Sequence, residues 1–422
     1  MAIPVTRRQA LDLRLRAQQL GRESGSLVDT AVLDIGVQDT GADGALWALA
    51  IRGVDRPPPG DLATVWTIRG APHVYRRADL PGVAAATAPF SDADAGKRIY
   101  DASRPLKAAG IPNLAALDAV ADAMRSIVTA PMVKGEMSTR LNAVMDEPYR
   151  RFCRPCNAVH LYEMPFRLAA LRAGLELQPG TSPPVLQPVP GLTPGAEPSE
   201  RHDVVRGYLR LLGPATPTLV AGYLDAPVKD VRARWPADAV AVSVAGERRW
   251  VLADDLAGLG DGPPAVVRLL APFDLYLQAR DRPLLVEDPV RAKDLWRTLG
   301  RPGGVLVDGE IAGTWRARRS GGSVGVTVSL WTEAPAAAIA EQAERLAAFR
   351  GVRLSSLEVR VAQPASTAQP CGPSRTRVDA DDGRVTVAAP ASTSPAPDAG
   401  RSVGASPTLS ATTSRPSSAT TS

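Results

Sequence analysis

The chain reads His202-Asp-Val-Val-Arg-Gly-Tyr-Leu-Arg-Leu-Leu212, then Thr216-Pro-Thr-Leu-Val-Ala-Gly-Tyr-Leu224 and Pro227-Val-Lys-Asp-Val-Arg-Ala-Arg234, and each segment predicts a helix. The second segment opens with Thr and Pro, which favour an N-cap and a first helical turn. Val240–Val244 and Arg248–Leu252 predict a hairpin, because a turn containing Gly separates two strand-like runs. Three helices followed by a hairpin are the order of a winged helix, a variant of the helix-turn-helix.

The same order is predicted twice more, upstream. In the first 100 residues, Thr6 and Gln9 have capping-box spacing and begin a helix. The further elements expected there are a helix over about 27–37, an apolar helix over 45–51, and hairpin strands at 64–69 and 73–77. The second copy is predicted from a helix at 115–128 and from a turn and second helix over 134–145. Its Ser138, Thr139 and Arg140 are expected at a helix start, where hydroxyls and amides bind phosphate.

Strand patterns replace helical ones after residue 266. Strands are expected at 266–270, 304–308, 311–319 and 323–330, before a last helix over 336–349. Beyond about residue 361, Pro, Ser, Thr and Ala dominate, which predicts a disordered tail that can be deleted. The predicted fold class is therefore α+β. Its units are winged helices at 1–100, 101–198 and 199–260, a β-barrel-like domain at 261–360 and the tail at 361–422.

The composition favours a soluble protein that meets phosphate. The net charge is +5 and the pI about 9.3, and Arg, which outnumbers Lys, offers a bidentate fork to phosphate. The first residues lack the apolar core of a secretory signal, and no run approaches the length that spans a bilayer. Three cysteines do not make a disulfide framework. We therefore expect a cytoplasmic, nucleoid-associated protein without a membrane partner.

Val32-Leu-Asp-Ile-Gly-Val-Gln-Asp-Thr40 carries the main polar pair that suggests chemistry. Gln38 and Asp39 are expected to be exposed at a helix end. The alternative is that Asp39 only caps a helix and starts a turn with Thr40 and Gly41. His73, in the first predicted hairpin, is a further catalytic candidate, although a histidine at such a position is more often structural.

A second polar cluster is Cys153-Arg-Pro-Cys156-Asn-Ala-Val-His160-Leu-Tyr-Glu163. Its C-x₂-C spacing, followed by His and Glu, could supply four zinc ligands: Cys153, Cys156, His160 and Glu163. The alternatives are two half-buried thiols beside a helix face, or a redox pair without the βαβ pattern that usually surrounds one. The expectation is no cofactor, with zinc left open.

Four stretches together resemble a bacterial family of tandem winged-helix DNA-binding proteins that includes the AlkZ/YcaQ-type alkylpurine and crosslink-repair DNA glycosylases. They are Leu33–Asp39 before Ala45–Leu49, Trp66–Val74, Leu270–Leu277 and Val307–Trp315. The resemblance implies three winged helices folded into a concave basic saddle, with a β-barrel-like domain that completes a DNA channel. Duplex DNA is the implied partner, and a monomer is expected.

The resemblance also implies where catalysis would occur. In the glycosylases, a Gln-x-Gln or Gln-x-Asp motif lies where this chain has Gly36-Val37-Gln38, so the first polar side chain is missing. Gln38, Asp39 and His73 are the catalytic candidates. The leading hypothesis is a DNA-binding protein; the alternatives are a monofunctional DNA glycosylase and a non-catalytic protein-interaction module. The candidate phosphate contacts are Arg76, Arg77, Arg140, Arg232, Arg234, Arg248, Arg249, Arg316, Arg318 and Arg319.

Overall fold

Helices and strands are interleaved along the chain in the computed structural model, which describes residues 2–41, 44–193, 195, 197–259, 262 and 265–361. The predicted α+β class is confirmed. The α-helices are α1 (Arg7–Ala17), α2 (Gly44–Ala50), α3 (Leu80–Thr87), α4 (Asp92–Arg98), α5 (Ser103–Ala108), α6 (Asn113–Ile127), α7 (Lys134–Val144), α8 (Glu163–Arg172), α9 (Val204–Leu212), α10 (Pro217–Leu224), α11 (Val228–Ala233), α12 (Arg282–Leu285), α13 (Pro289–Leu295) and α14 (Ala336–Phe349).

The strands form four sheets. They are β1 (Ile3–Val5), β2 (Val37–Gln38), β3 (Leu62–Trp66), β4 (Pro72–Arg76), β5 (Met132–Val133), β6 (Arg150–Cys153), β7 (Ala158–Leu161), β8 (Leu175–Leu177), β9 (Val185–Pro188), β10 (Ala239–Val244), β11 (Glu247–Leu252), β12 (Val267–Leu270), β13 (Gly303–Val307), β14 (Glu310–Ser320), β15 (Ser323–Leu330) and β16 (Arg353–Val361). Their orders in the sheets are β1-β10-β11, β2-β4-β3-β8-β9-β5, β6-β7 and β12-β13-β14-β15-β16.

The most complete predicted copy has the elements expected from its sequence. Helices α9, α10 and α11 precede the β10–β11 hairpin, and Thr216 caps α10 by accepting a hydrogen bond from the Leu219 amide. In the first copy, the capping box of Thr6 and Gln9 is present at α1. Strands β3 and β4 form the predicted hairpin there.

The helix predicted over 27–37 is wrong. The structure has only a 3-10 turn at Ala31–Asp34, and Val37–Gln38 form strand β2. Local hydrogen bonds compete with the helix: the Ser26 amide donates to Asp29 at 2.9 Å, and the Thr30 hydroxyl donates to the Ser26 carbonyl at 2.6 Å. The placement of Ser138, Thr139 and Arg140 at a helix start is also wrong, because α7 begins at Lys134.

The C-terminal strands and last helix are confirmed, but the barrel is wrong. Strands β12 to β16 form an open sheet, and its edge strands β12 and β16 do not pair with each other among the described residues. Helix α14 lies between β15 and β16 in sequence and packs against both edge strands, β12 and β16. Strand β16, which was not predicted, pairs in parallel with β15. The predicted tail lies outside the described residues, except for Val361.

One hydrophobic core joins distant parts of the chain. It contains side chains of α1, α2, α9, α10, the β12–β15 sheet and α14. Trp47 of α2 is fully buried there, and its indole N–H donates to the Leu269 carbonyl at 2.7 Å. A second core lies between α6, α7 and α8. None of the described helices is long and apolar enough to cross a membrane.

Candidate functional site

A cavity of about 230 Å³ opens beside Gln38 of strand β2. Gln38 and Ala71 line one part of it, and side chains from the segment 273–282 line another. Four guanidinium groups complete the lining, and we call them the cavity arginines: Arg69, Arg280, Arg282 and Arg301. The cavity therefore brings a carboxamide and four cations together from four separate stretches of sequence.

The cavity arginines have no ion pair with a carboxylate in the part of the chain that the structure describes. The Nε atoms of Arg280 and Arg301 are buried there without a hydrogen-bond partner. Burial, with the charges of neighbouring cavity arginines, lowers the pKa of Arg301 to about 10. Burial and the charge of Arg280 also lower the pKa values of Arg69 and Arg282. An anion in this cavity would relieve the repulsion among the cations.

Aromatic rings support three of these guanidinium groups. Arg301 lies 4.8 Å from the ring centroid of Phe273, Arg282 5.0 Å from Trp296 and Arg69 4.9 Å from Tyr223. Arg69 also donates to the Gln278 side-chain oxygen at 2.6 Å. These aromatic and amide partners position the guanidinium groups without neutralising them, and the carboxylate of Asp225 acts on Arg69 without forming an ion pair with it.

Two buried ion pairs hold the cavity segment at both ends. Asp274 forms a bidentate pair with Arg52, with distances of 2.8 and 2.9 Å, and both side chains are fully buried. Asp281 pairs with Arg14 at 2.7 and 3.1 Å and also contacts Arg249. Phe273, Gln278 and Arg280 lie between or next to these anchors, so the ion pairs fix the cavity wall relative to α1 and α2.

Gln38 is half-buried on strand β2 and pairs in register with His73 of β4. Its side-chain amide donates to the Thr40 hydroxyl at 3.0 Å. Gly36, two residues earlier, has φ +87°, and a Cβ there would lie 2.3 Å from the Tyr75 ring. The backbone and the Tyr75 ring therefore both require glycine at position 36, where the family resemblance implied a polar residue.

Asp39 acts as a helix cap. Its Oδ1 accepts a hydrogen bond from the Ala45 amide at 3.0 Å, in the first turn of α2. Its own amide donates to the Pro72 carbonyl at 2.8 Å. Asp39 does not line the cavity beside Gln38. Asp39 therefore has the capping role that the sequence left as an alternative to catalysis.

His73 is fully buried and neutral. Its Nδ1 lies 3.0 Å from the Ala71 carbonyl and 3.1 Å from the Thr67 hydroxyl. Because a carbonyl only accepts, Nδ1 carries the proton, and Nε2 has no hydrogen-bond partner among the described residues. Burial, together with the charge of Arg69, lowers the pKa of His73 to about 3. The imidazole thus holds the Thr67–Ala71 turn without carrying charge.

The predicted phosphate contacts fall into two groups. Arg76 and Arg249 are buried: Arg76 pairs with Asp34 at 2.7 Å, and Arg249 pairs with Asp281. Arg77 forms a bidentate pair with Glu176, and Arg140 pairs with Glu136 at 2.6 Å. The other group is exposed and has no ion pair within the described ranges: Arg232, Arg234, Arg248, Arg316, Arg318 and Arg319.

The structure brings three of the four predicted metal ligands together. The ligating atoms of Cys153, Cys156 and His160 all lie within 4.8 Å of one another at the β6–β7 hairpin. Hydrogen bonds from the Cys156 amide and from His160 lower the pKa of the Cys153 thiol. Glu163 is not part of this group, because its Oε1 accepts from Lys134 at 2.7 Å and from Arg167 at 2.6 Å.

The cavity arginines were not predicted as site residues. Arg69 lies within Trp66–Val74, and Arg280 follows Leu270–Leu277, two of the stretches that carry the family resemblance. The family resemblance of those stretches was the only feature of the sequence that could have marked Arg69 and Arg280 as site residues. Their convergence on Gln38 depends on tertiary structure, which a pattern along the chain does not contain.

The described residues form an α+β protein with a cavity lined by four arginines. A profile of the family described as "DNA glycosylase AlkZ-like" matches residues 39–349, more than half of the chain. The chain belongs to this family of proteins related to DNA-repair glycosylases, which confirms the resemblance. The solved structure of Streptomyces sahachiroi DNA glycosylase AlkZ has 22% sequence identity and a TM-score of 0.66.

That match covers 85% of this chain and 100% of the Streptomyces protein, and at this identity it shows a shared fold. No curated protein matches the chain. The family match begins at Asp39, so Gly36, Val37 and Gln38 lie just before the matched region. Membership in the family therefore rests on residues other than the polar motif of the glycosylases.

Proposed function

We propose that the protein binds duplex DNA and that a backbone phosphate occupies the cavity beside Gln38. The observation that carries this proposal is the group of cavity arginines, which have no carboxylate partner in the described part of the chain. Arginine binds phosphate well because its planar fork matches the phosphate oxygens. Desolvated cations in a cavity also interact more strongly with an anion than exposed ones do.

Further support comes from the exposed arginines on hairpins and short helices. Arg316 and Arg318 alternate along β14 and therefore share one face of the β14–β15 hairpin. Arg232 and Arg234 lie at the end of α11, and Arg248 lies on the β10–β11 hairpin. We infer that α9, α10, α11 and this hairpin act as a winged helix, and that the two upstream units are related to it, although the first has a 3-10 turn in place of its second helix. We further infer that the protein works as a monomer on cytoplasmic, nucleoid DNA.

The experiment that tests this proposal measures duplex binding and base release together, on undamaged, alkylated and crosslinked DNA. The expected result is binding to all three duplexes, weakened by salt because Arg–phosphate contacts release counterions. The double variant Arg280→Gln/Arg301→Gln, which removes two of the cavity arginines, should lose most of the wild-type affinity for duplex DNA. Binding that is absent at low salt would remove DNA as the partner and favour a protein-interaction module.

A second candidate function is removal of alkylated or crosslinked bases by a monofunctional glycosylase. Family membership favours it, as does the position of the Gln38 carboxamide at the edge of the cationic cavity. Gln38 would have to place the water without a partner at position 36, and Asp39 is occupied by the α2 cap. A lone carboxamide offers a dipole but no charge to a developing sugar cation, and so the DNA-binding function is the better supported of the two.

The glycosylase candidate has its own test. If Gln38 positions water, the wild-type protein releases an alkylated purine slowly and Gln38→Ala abolishes the release while duplex binding persists. Gly36→Gln cannot serve as a simple rescue, because its Cβ would meet the Tyr75 ring. Release that continues in Gln38→Ala would place the chemistry on other residues, and an absence of release from wild type would leave DNA binding as the function.

A further inference from the structure

The β6–β7 hairpin is a separate two-stranded sheet with little core of its own. Leu161 at its base is buried, whereas the cross-strand pair Phe152 and Val159 is 58% and 44% exposed. A lone two-stranded hairpin is at best marginally stable in water. The outer part of this hairpin therefore needs a stabilising contact that its apolar side chains do not provide.

Zinc-ligating side chains lie at that outer part. Cys153 pairs with Ala158 at the end of the strands, Cys156 lies in the connecting turn, and Asn157 closes the turn with φ +49°. His160 is two residues further along β7, and its ligating atom and the two sulfurs lie within 4.8 Å of one another. Two thiolates in C-x₂-C spacing with one imidazole are a donor set that zinc prefers.

The imidazole is oriented as a metal ligand requires. His160 Nδ1 lies 2.8 Å from the Leu161 carbonyl, which can only accept, so Nδ1 carries the proton in the neutral ring. The side-chain hydrogen bond that His160 shares with Cys153 is then the contact that a metal ion would replace. Ligating histidines commonly donate their other ring N–H to a carbonyl or carboxylate in this way.

We propose that Cys153, Cys156 and His160 bind one zinc ion that stabilises the β6–β7 hairpin. Glu163, the fourth residue suggested by the spacing, is held by Lys134 and Arg167 and does not ligate. Water completes the tetrahedral site from the open side, where Cys156 is exposed. The proposal is independent of DNA binding, because none of these residues lines the cavity beside Gln38.

The test begins with the full chain purified under reducing conditions without chelator, and measures zinc by mass spectrometry. The expected content is about one zinc per chain, falling to near zero in Cys156→Ser and in His160→Gln. The matched control is Cys371→Ser, which removes the third cysteine and should leave the zinc content unchanged. Zinc that persists in Cys156→Ser, or that is lost only in Cys371→Ser, would overturn the proposal.

Cobalt(II) serves as a spectroscopic probe of the same site. Added to the metal-free protein, it should give thiolate-to-cobalt charge transfer and the visible absorption of a tetrahedral ion, both lost in Cys153→Ser. Hydrogen exchange over residues 150–161 should accelerate when zinc is removed, whereas exchange in α6 should not change. A chain that takes up neither zinc nor cobalt, or whose two thiols form a disulfide in place of binding metal, would contradict the site.

Discussion

Two sets of arginines in this protein, the fully buried pair Arg14 and Arg52 and the cavity arginines, differ in their partners. Arg14 and Arg52 are fully buried and form bidentate pairs with Asp281 and Asp274. The cavity arginines are packed by aromatic rings and have no carboxylate partner within the described residues. The charges of Arg14 and Arg52 are balanced by carboxylates within the fold, whereas the charges of the cavity arginines are not, so an external anion could pair with the cavity arginines. We therefore expect the paired set to stabilise the fold, and the proposed phosphate binding to depend on the unpaired set.

The largest effect should come from breaking a structural pair. Asp274→Ala would leave the fully buried Arg52 without its carboxylate and should lower the free energy of unfolding by about 3–5 kcal/mol. Urea denaturation measures this change. In the double variant Arg52→Met/Asp274→Leu, part of the loss should be recovered, because no unpaired charge remains. A loss below about 1 kcal/mol in the single variant would contradict the structural role of the pair.

Gly36→Ala should be the next most costly change. The added Cβ would lie 2.3 Å from the Tyr75 ring at a backbone φ of +87°, so strain and overpacking should together destabilise by about 2–4 kcal/mol. Gly41→Ala is the matched control: φ is +96°, but among the described residues, its chain neighbours aside, no atom lies within 4 Å of a Cβ placed there. It should cost about 1 kcal/mol. Equal melting temperatures for the two variants would show that the Tyr75 contact does not matter.

Acid should weaken the fold through His73. Its pKa is lowered to about 3 in the folded protein, so below the unfolded value of about 6.5 the unfolded chain binds a proton that the folded chain excludes. Stability is therefore lost as pH falls from about 7, by about 2 kcal/mol at pH 5. Urea denaturation at both pH values should show a smaller decrease in His73→Asn. Carboxylates titrate in both proteins, so an equal decrease would contradict a buried, neutral imidazole.

Some parts of this structure can be predicted from the sequence, and others cannot. The elements of 202–252 and the strands of 303–330 follow from local periodicity and turn residues, and they were predicted correctly. The helix at 27–37 failed because Asp29 and Thr30 hydrogen-bond locally, which an apolar pattern does not register. The cavity arginines come from three distant segments. Whether an arginine has a carboxylate partner, as Arg76 has and Arg301 does not, depends on packing alone.

The smallest effect on stability should come from replacing one of the cavity arginines. Replacing Arg301 by Gln removes a charge that neighbouring cations repel, so the free energy of unfolding should change by less than about 0.5 kcal/mol or rise slightly. Thermal unfolding of Arg301→Gln beside Asp274→Ala measures the contrast between the two sets. Strong destabilisation by Arg301→Gln would mean that the cavity arginines hold the fold together.

The most direct test of the account is the salt dependence of duplex binding by the wild type and by Arg280→Gln/Arg301→Gln. Arg280 and Arg301 line the same cavity and would share its one phosphate, so the double variant should lose about 1 from the slope of log K against log salt concentration. Arg360→Gln, an exposed arginine paired with Glu358 on β16, is the control and should retain the wild-type slope. Equal slopes for wild type and the double variant would contradict a phosphate in the cavity.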